Sequence, residues 1–245
     1  SVESDLELSL IQHKVWKPKR INIVSSLEST SYLNQKRQAL YVIMTVIIIL
    51  VLDHWLKFHI KTTYTLGESK TIFPNWFELH FTENPGMAFG LTLGGKWGKI
   101  VLTLFRIVAS CVIIIYIKGL IKEGVKSITI ILISLILAGA IGNIIDSILY
   151  GYFFEESTYH YVAKFLNEGN GYAPLFMGKV VDMLYFPLVD TQWPEWVPFI
   201  GGNRFQFFRP VFNIADAAIS IGVFTILIFR KQLFPASNTD STDLD

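Results

Sequence analysis

The stretch RPVFNIADAAISIGVFTILIFRK, residues 209–231, carries one charge, Asp216, between Val211 and Phe229. Asp216 lies seven residues past Arg209, ~10 Å along a helix rising ~1.5 Å per residue. A charge inside a membrane-spanning helix costs at least ~2.5 kcal/mol. Three more acids occupy similar places. Asp53 closes ALYVIMTVIIILVLDHWL, Asp146 follows SITIILISLILAGAIGNII at once, and Asp182 sits in the apolar run MGKVVDMLYFP. Two carboxylates in one low-dielectric site cannot both ionise, so the pair holds a single proton. Such a pair can activate water and protonate a leaving amine. The plainer reading is structural: acids paired with Lys57, Arg106 or backbone amides. Four acids in one layer favour chemistry.

The elements that must position these acids follow from composition. Of 245 residues, 51% are hydrophobic and only 17% charged, against about 25% charged in soluble domains. The apolar excess falls into four blocks, each long enough for a helix across a ~30 Å hydrocarbon core. The expected fold class is an all-α membrane protein: four transmembrane helices with a small extracytoplasmic β-cradle and periplasmic loop and helix insertions. The expected spans are about 39–57, 99–117, 127–147 and 210–230 within a membrane domain of residues 39–232. Residues 58–98 and 148–209 form the outer segments. Residues 1–38 read as a poorly ordered cytoplasmic extension and residues 233–245 as a cytoplasmic tail. Block one lies too deep in the chain to be a cleaved signal peptide.

Lys36 and Arg37 precede block one, Lys118, Lys122 and Lys126 join blocks two and three, and Arg230 and Lys231 follow block four. The positive-inside rule then puts both termini and that link in the cytoplasm, and all four acids near the outer leaflet. In the outer segments, TIFPNWFELHFTENPGMAFGLTL alternates like short strands broken at Asn84-Pro85-Gly86. Trp76, Trp97, Trp193 and Trp196 suit the membrane interface.

Several classes are excluded. The net charge is +1 and no basic stripe is interleaved with aromatics, so nucleic acid is not a partner. The one cysteine, Cys111, rules out a disulfide scaffold or cysteine metal site and reads as a small core residue. There is no H-E-x-x-H, no G-x-S-x-G and no Gly-Asp dipeptide. No metal and no cofactor is expected. Arg106, in mid-span, is either a snorkelling or paired structural cation or a functional contact.

VLDHWLK, FTENPGMAFG, GAIGNIIDS, GKVVDM and FNIADAAI occur in that order. Together they resemble lipoprotein signal peptidase (signal peptidase II) over about residues 40–231. The resemblance implies a monomeric aspartyl endopeptidase of the bacterial inner membrane. It would remove signal peptides from prolipoproteins, cutting before a diacylglyceryl-modified cysteine, with membrane lipids around it. It further implies Asp182 and Asp216 as the catalytic pair, oriented by Asn213, with Asn143 and Asp146 as supporting residues. Asn84 and Gly86 would meet the substrate. Asp53 and Lys57, spaced i, i+4, can pair on one helix face. Their role is either that pairing or placement of the substrate's lipidated end. The alternative function is a small proton-coupled carrier built on the same buried acids. The chain departs from the family pattern at Ser147, where an arginine is common; Arg204 or Arg209 is the expected substitute. The stretches 147–179 and 185–209 are long and read as a lid or as surface loops. The N-terminal extension has no family counterpart.

Overall fold

The computed structural model describes residues 17–85, 95–187, 189–207 and 210–234. Four helices dominate: α1 Lys17–Thr63, α2 Gly95–Glu123, α3 Ser127–Ile145, and, after a three-residue turn α4 Gly151–Phe153, α5 Ile214–Leu233. Within them, Glu28–Thr63, Trp97–Glu123 and Ser127–Phe153 are long and apolar enough to cross a membrane. Helix α5 has 20 residues, ~30 Å of rise, enough for a fourth span. The chain is a multi-pass membrane protein.

Helix α1 begins well before its apolar block and runs through residues 17–38, where the sequence predicts poor order. Pro18 stands in the first turn, where its missing N–H costs nothing. No glycine or proline then interrupts the chain until Gly67. Residues 1–16 lie outside the described residues.

The helices differ in what covers them. The apolar stretch of α1 is 6% buried inside the protein and that of α2 17%, whereas that of α3 is 61% buried. Leu40, Ile43, Ile47, Val51 and Trp55 on α1, and Val101, Leu104, Phe105, Val108 and Val112 on α2, face outward at helical spacing. In a spanning helix that face meets lipid. Cys111 also faces outward, contrary to its expected place in the core. It is small and apolar enough for a lipid-facing site.

Helix α3 is the central post, and α5 lies directly against it. A Cβ built on Gly139 would come 2.2 Å from the Ala215 carbonyl oxygen, and one on Gly222 would come 2.7 Å from that of Leu132. Small residues let helices approach this closely in membranes. At the basic end, Ile117, Leu120, Ile130, Ile133 and Leu137 form a buried cluster. Gly124, at φ 69°, reverses the chain there between α2 and α3.

The opposite, acidic end carries the strands. A four-stranded antiparallel sheet has the order β1-β2-β3-β6: Ser69–Phe73, Phe77–Asn84, Val180–Tyr185 and Val211–Phe212. A separate pair joins β4 Val189–Gln192 to β5 Arg204–Phe207. The apolar run VVDMLY is strand β3, inside the sheet. Ile60, Tyr64, Phe81, Tyr150, Phe154, Val181 and Met183 form one buried cluster that fastens the sheet to the end of α1. After Ile145, α3 continues as one π-helical turn, Asp146–Tyr150. Such turns recur at functional sites. A Cβ on Gly178 would come 2.1 Å from the Asp146 carbonyl, so only glycine lets the chain leading into β3 approach that turn.

Candidate active site

Each acid of the layer is delivered by a different element. Asp53 comes from α1, Asp146 from the π-helical turn after α3, Asp182 from the middle of β3 and Asp216 from the first turn of α5. Asp53, Asp146 and Asp182 are buried, as are Lys57, Asn143 and Asn213; Asp216 is half-buried.

Lys57 is the hub of one half. Its Nζ lies 2.7 Å from Asp53 Oδ2 and 2.7 Å from Asp146 Oδ2, and it donates to Asn143 Oδ1 at 3.2 Å. Asp53 Oδ1 also accepts from the Ala215 amide at 2.8 Å. Asp53 therefore ties α1 to a first-turn N–H of α5 that has no partner within its own helix. Gly142 leaves room for this contact: a Cβ there would sit 3.0 Å from Asp53 Oδ2.

The other half is joined by amides. Asn213 is the N-cap of α5, its Oδ1 accepting from the Asp216 amide at 2.8 Å. Its Nδ2 donates to Asp182 Oδ1 at 2.6 Å. Asn143 Nδ2 donates to Asp216 Oδ1 at 2.7 Å. Asn213 thus fixes the Asp216 backbone with one end of its amide and the Asp182 carboxylate with the other. Burial pushes the Asp182 pKa up to about 7; the Asp216 carboxylate adds to the rise and the Asn213 hydrogen bond opposes it. A carboxyl group that holds a proton near neutrality, beside a second carboxylate, is the equipment of acid–base hydrolysis.

The structure thus joins Asp53, Lys57, Asn143, Asp146, Asp182, Asn213 and Asp216 in one contact network. Asn84 ends β2 two residues past Thr82, which is paired with Asp182; Asn84 itself is paired with Val180. Gly86 lies outside the described residues, as do Arg209 and the side chain of Arg204. Ser147 supplies no cation and turns its hydroxyl back to the Asn143 carbonyl at 2.8 Å. Among the described residues no group of His, Cys, Asp and Glu is arranged to hold a metal ion.

Sequence reasoning missed a second polar cluster beside the first. Lys61, buried, donates to Glu83 Oε1 and, at 2.8 Å, to Ser157 Oγ. Ser157 in turn donates to Glu83 at 2.8 Å, and Lys179 lies 3.3 Å from Glu83 Oε2. Three sequence-distant segments meet here: α1, the end of β2 and the insertion 147–179. The available signal was Lys61, one turn beyond Lys57 on the same face of α1, and Glu83 beside Asn84. Neither interrupts an apolar block, so neither stands out in the sequence.

A four-helix membrane scaffold with a buried acid network at one end is a general class, and comparison narrows it. Residues 45–231 match the family model described as Signal peptidase (SPase) II. A protein of Porphyromonas gingivalis named lipoprotein signal peptidase is 45% identical over 199 residues, 81% of this chain and 86% of that protein. One of the same name from Amoebophilus asiaticus is 41% identical over 207 residues, 82% of this chain and 81% of its own. A solved bacterial membrane enzyme, 23% identical, superposes with a TM-score of 0.50 over 83% of this chain and 94% of its own, and shows the shared fold. The chain belongs to the signal peptidase II family and is a membrane peptidase.

Proposed function

We propose that this protein removes signal peptides from prolipoproteins, using Asp182 and Asp216 as an aspartyl dyad. The family supports signal-peptide removal. The observation that carries the mechanism is the Asn213 bridge: one side chain bonds the Asp182 carboxylate at 2.6 Å and the Asp216 amide at 2.8 Å. Asn143 holds the Asp216 carboxylate at 2.7 Å, and in this reading the two carboxyl groups share one proton. The ionised member takes a proton from water, which attacks the scissile carbonyl carbon. The protonated member gives its proton to the departing amine as the C–N bond breaks.

The site lies at the end of the bundle opposite the Lys- and Arg-rich end. With both termini cytoplasmic by the positive-inside rule, it is near the outer leaflet of the inner membrane. There a signal peptide's lipidated cysteine, anchored by its diacylglyceryl chains, presents the bond preceding it. Asn143 orients Asp216, while Asp146, Asp53 and Lys57 hold the helix ends that carry the site. By the family resemblance, Asn84 and Gly86 are assigned to substrate contact. One copy of the chain contains every group required, so it acts as a monomer.

The test is cleavage of a lipidated prolipoprotein by purified wild type, Asp182→Asn and Asp216→Asn. Wild type cuts and neither variant does, although both insert and fold. Retained cleavage in either variant overturns the dyad. A wild type that never cuts but moves protons into liposomes favours the carrier.

A further inference from the structure

One face of helix α2 carries Lys99, Thr103, Arg106 and Ser110, at spacings of four, three and four. Three of them are satisfied within the protein. Thr103 donates to the Lys99 carbonyl at 3.0 Å, Ser110 to the Arg106 carbonyl at 2.8 Å, and Lys99 to the Met177 carbonyl at 2.8 Å. Arg106 is different. Its guanidinium feels the carboxylates of Asp216, Asp146 and Asp182, yet among the described residues no ion pair joins it to any acid. Its Nη1 is buried without a hydrogen-bond partner.

Lys57 shows what neutralisation looks like in this protein: 2.7 Å to each of two carboxylates. Arg106 forms no such pair among the described residues, so charge balance alone does not explain its placement. A buried donor left unmade loses the full desolvation penalty, and selection against that is met when an acceptor arrives with a ligand. The acceptor's chemistry is constrained by the surroundings. Three carboxylates repel an anion, so a neutral carbonyl oxygen is the acceptor that fits. A peptide segment opened for cleavage has such oxygens, because unwinding removes their helical partners where little water replaces them. The guanidinium fork, always charged and rigid, is the side chain best suited to hold one.

We infer that Arg106 is a substrate-positioning residue whose free Nη1 hydrogen binds a main-chain carbonyl of the segment lying across Asp182 and Asp216. The assignment rests on the peptidase reading above and extends it to the non-reacting part of the substrate.

The test uses wild type, Arg106→Met, Arg106→Gln and Arg106→Lys with a lipidated prolipoprotein substrate, reading KM and kcat separately. Arg106→Met raises KM about tenfold or more, the loss expected for a hydrogen bond to a charged donor, while kcat changes less than about threefold. Arg106→Lys recovers part of the affinity by restoring a cationic donor. Arg106→Gln, close in size, gives the same ordering if Arg106→Met does not fold. An unchanged KM in folded Arg106→Met or Arg106→Gln overturns the inference. So does a shifted pH profile with KM unchanged, which would make Arg106 a tuner of the dyad's proton. A KM penalty that disappears with an ester-free lipid analogue also overturns it, because the acceptor would then be an acyl ester. If wild type itself does not cut, the peptidase reading fails and the inference falls with it. If wild type cuts and the variants bind as well as it does, only the inference fails.

Discussion

Two groups of acids lie side by side at one end of the bundle, and the protein treats them in opposite ways. Asp53 and Asp146 share a cation, Lys57, at 2.7 Å each. Asp182 and Asp216 have neutral amides, from Asn213 and Asn143, at 2.6 and 2.7 Å. A cation shared by two carboxylates fixes both in place. A neutral amide orients a carboxyl group without dictating whether it carries a proton. The first arrangement ties α1, α3 and α5 together. The second is the arrangement the proposed hydrolysis requires, since it does not fix the proton.

The largest effects should separate the two groups. Asp182→Asn or Asp216→Asn should lower cleavage by a factor of about a hundred to ten thousand, the range of a lost acid–base group, with the unfolding midpoint in detergent held or raised. Lys57→Met should do the reverse to stability. It strands two buried carboxylates, and breaking a buried pair from one side costs about 3–5 kcal/mol, readable by denaturant titration in detergent. A Lys57→Met protein as stable as wild type would erase the distinction drawn between the groups.

The packing that brings the groups together should respond next. Gly139→Ala puts a methyl 2.2 Å from the Ala215 carbonyl. It should destabilise by about 1–3 kcal/mol, as overpacking does, and lower activity by moving Asp216. Asn213→Ala removes the α5 cap, worth about 1 kcal/mol, and the amide that holds Asp182. Activity should fall further than stability; equal falls would make Asn213 a cap alone.

The smallest effect is a pH slope. The folded pKa of Asp182, about 7, exceeds the ordinary aspartate value of about 3.9. Between those values the native state binds more protons than the unfolded state, so stability falls as pH rises. Asp182→Asn should flatten this slope between about pH 4 and 7. A slope unchanged in that variant would place the titrating group elsewhere.

Much of this was legible in the sequence because membranes simplify the code. A charge inside an apolar block is conspicuous, so Asp53, Asp216 and the Asp146 boundary stood out, and span order alone put the acids in one layer. The family resemblance singled out Asn213, which in the structure is both the N-cap of α5 and a bridge to Asp182. The helical start of α1 was hidden because residues 17–38 are polar, and polar helix formers on a long helix show no apolar period. Strand β3 was hidden because VVDMLY is buried on both faces, which removes the alternation that marks a strand. Glu83 and Ser157 were missed because they meet Lys61 across segments far apart in sequence.

The central claim is that Asp182 and Asp216 hold one proton between them at neutral pH. Infrared spectra of the carboxylic acid C=O stretch, recorded from pH 5 to 9 on wild type and Asp182→Asn, address it most directly. The account predicts one protonated carboxyl band in wild type that is lost near pH 7 and is absent or displaced in Asp182→Asn. A wild type with no such band at pH 6, or one that Asp182→Asn leaves untouched, would contradict it.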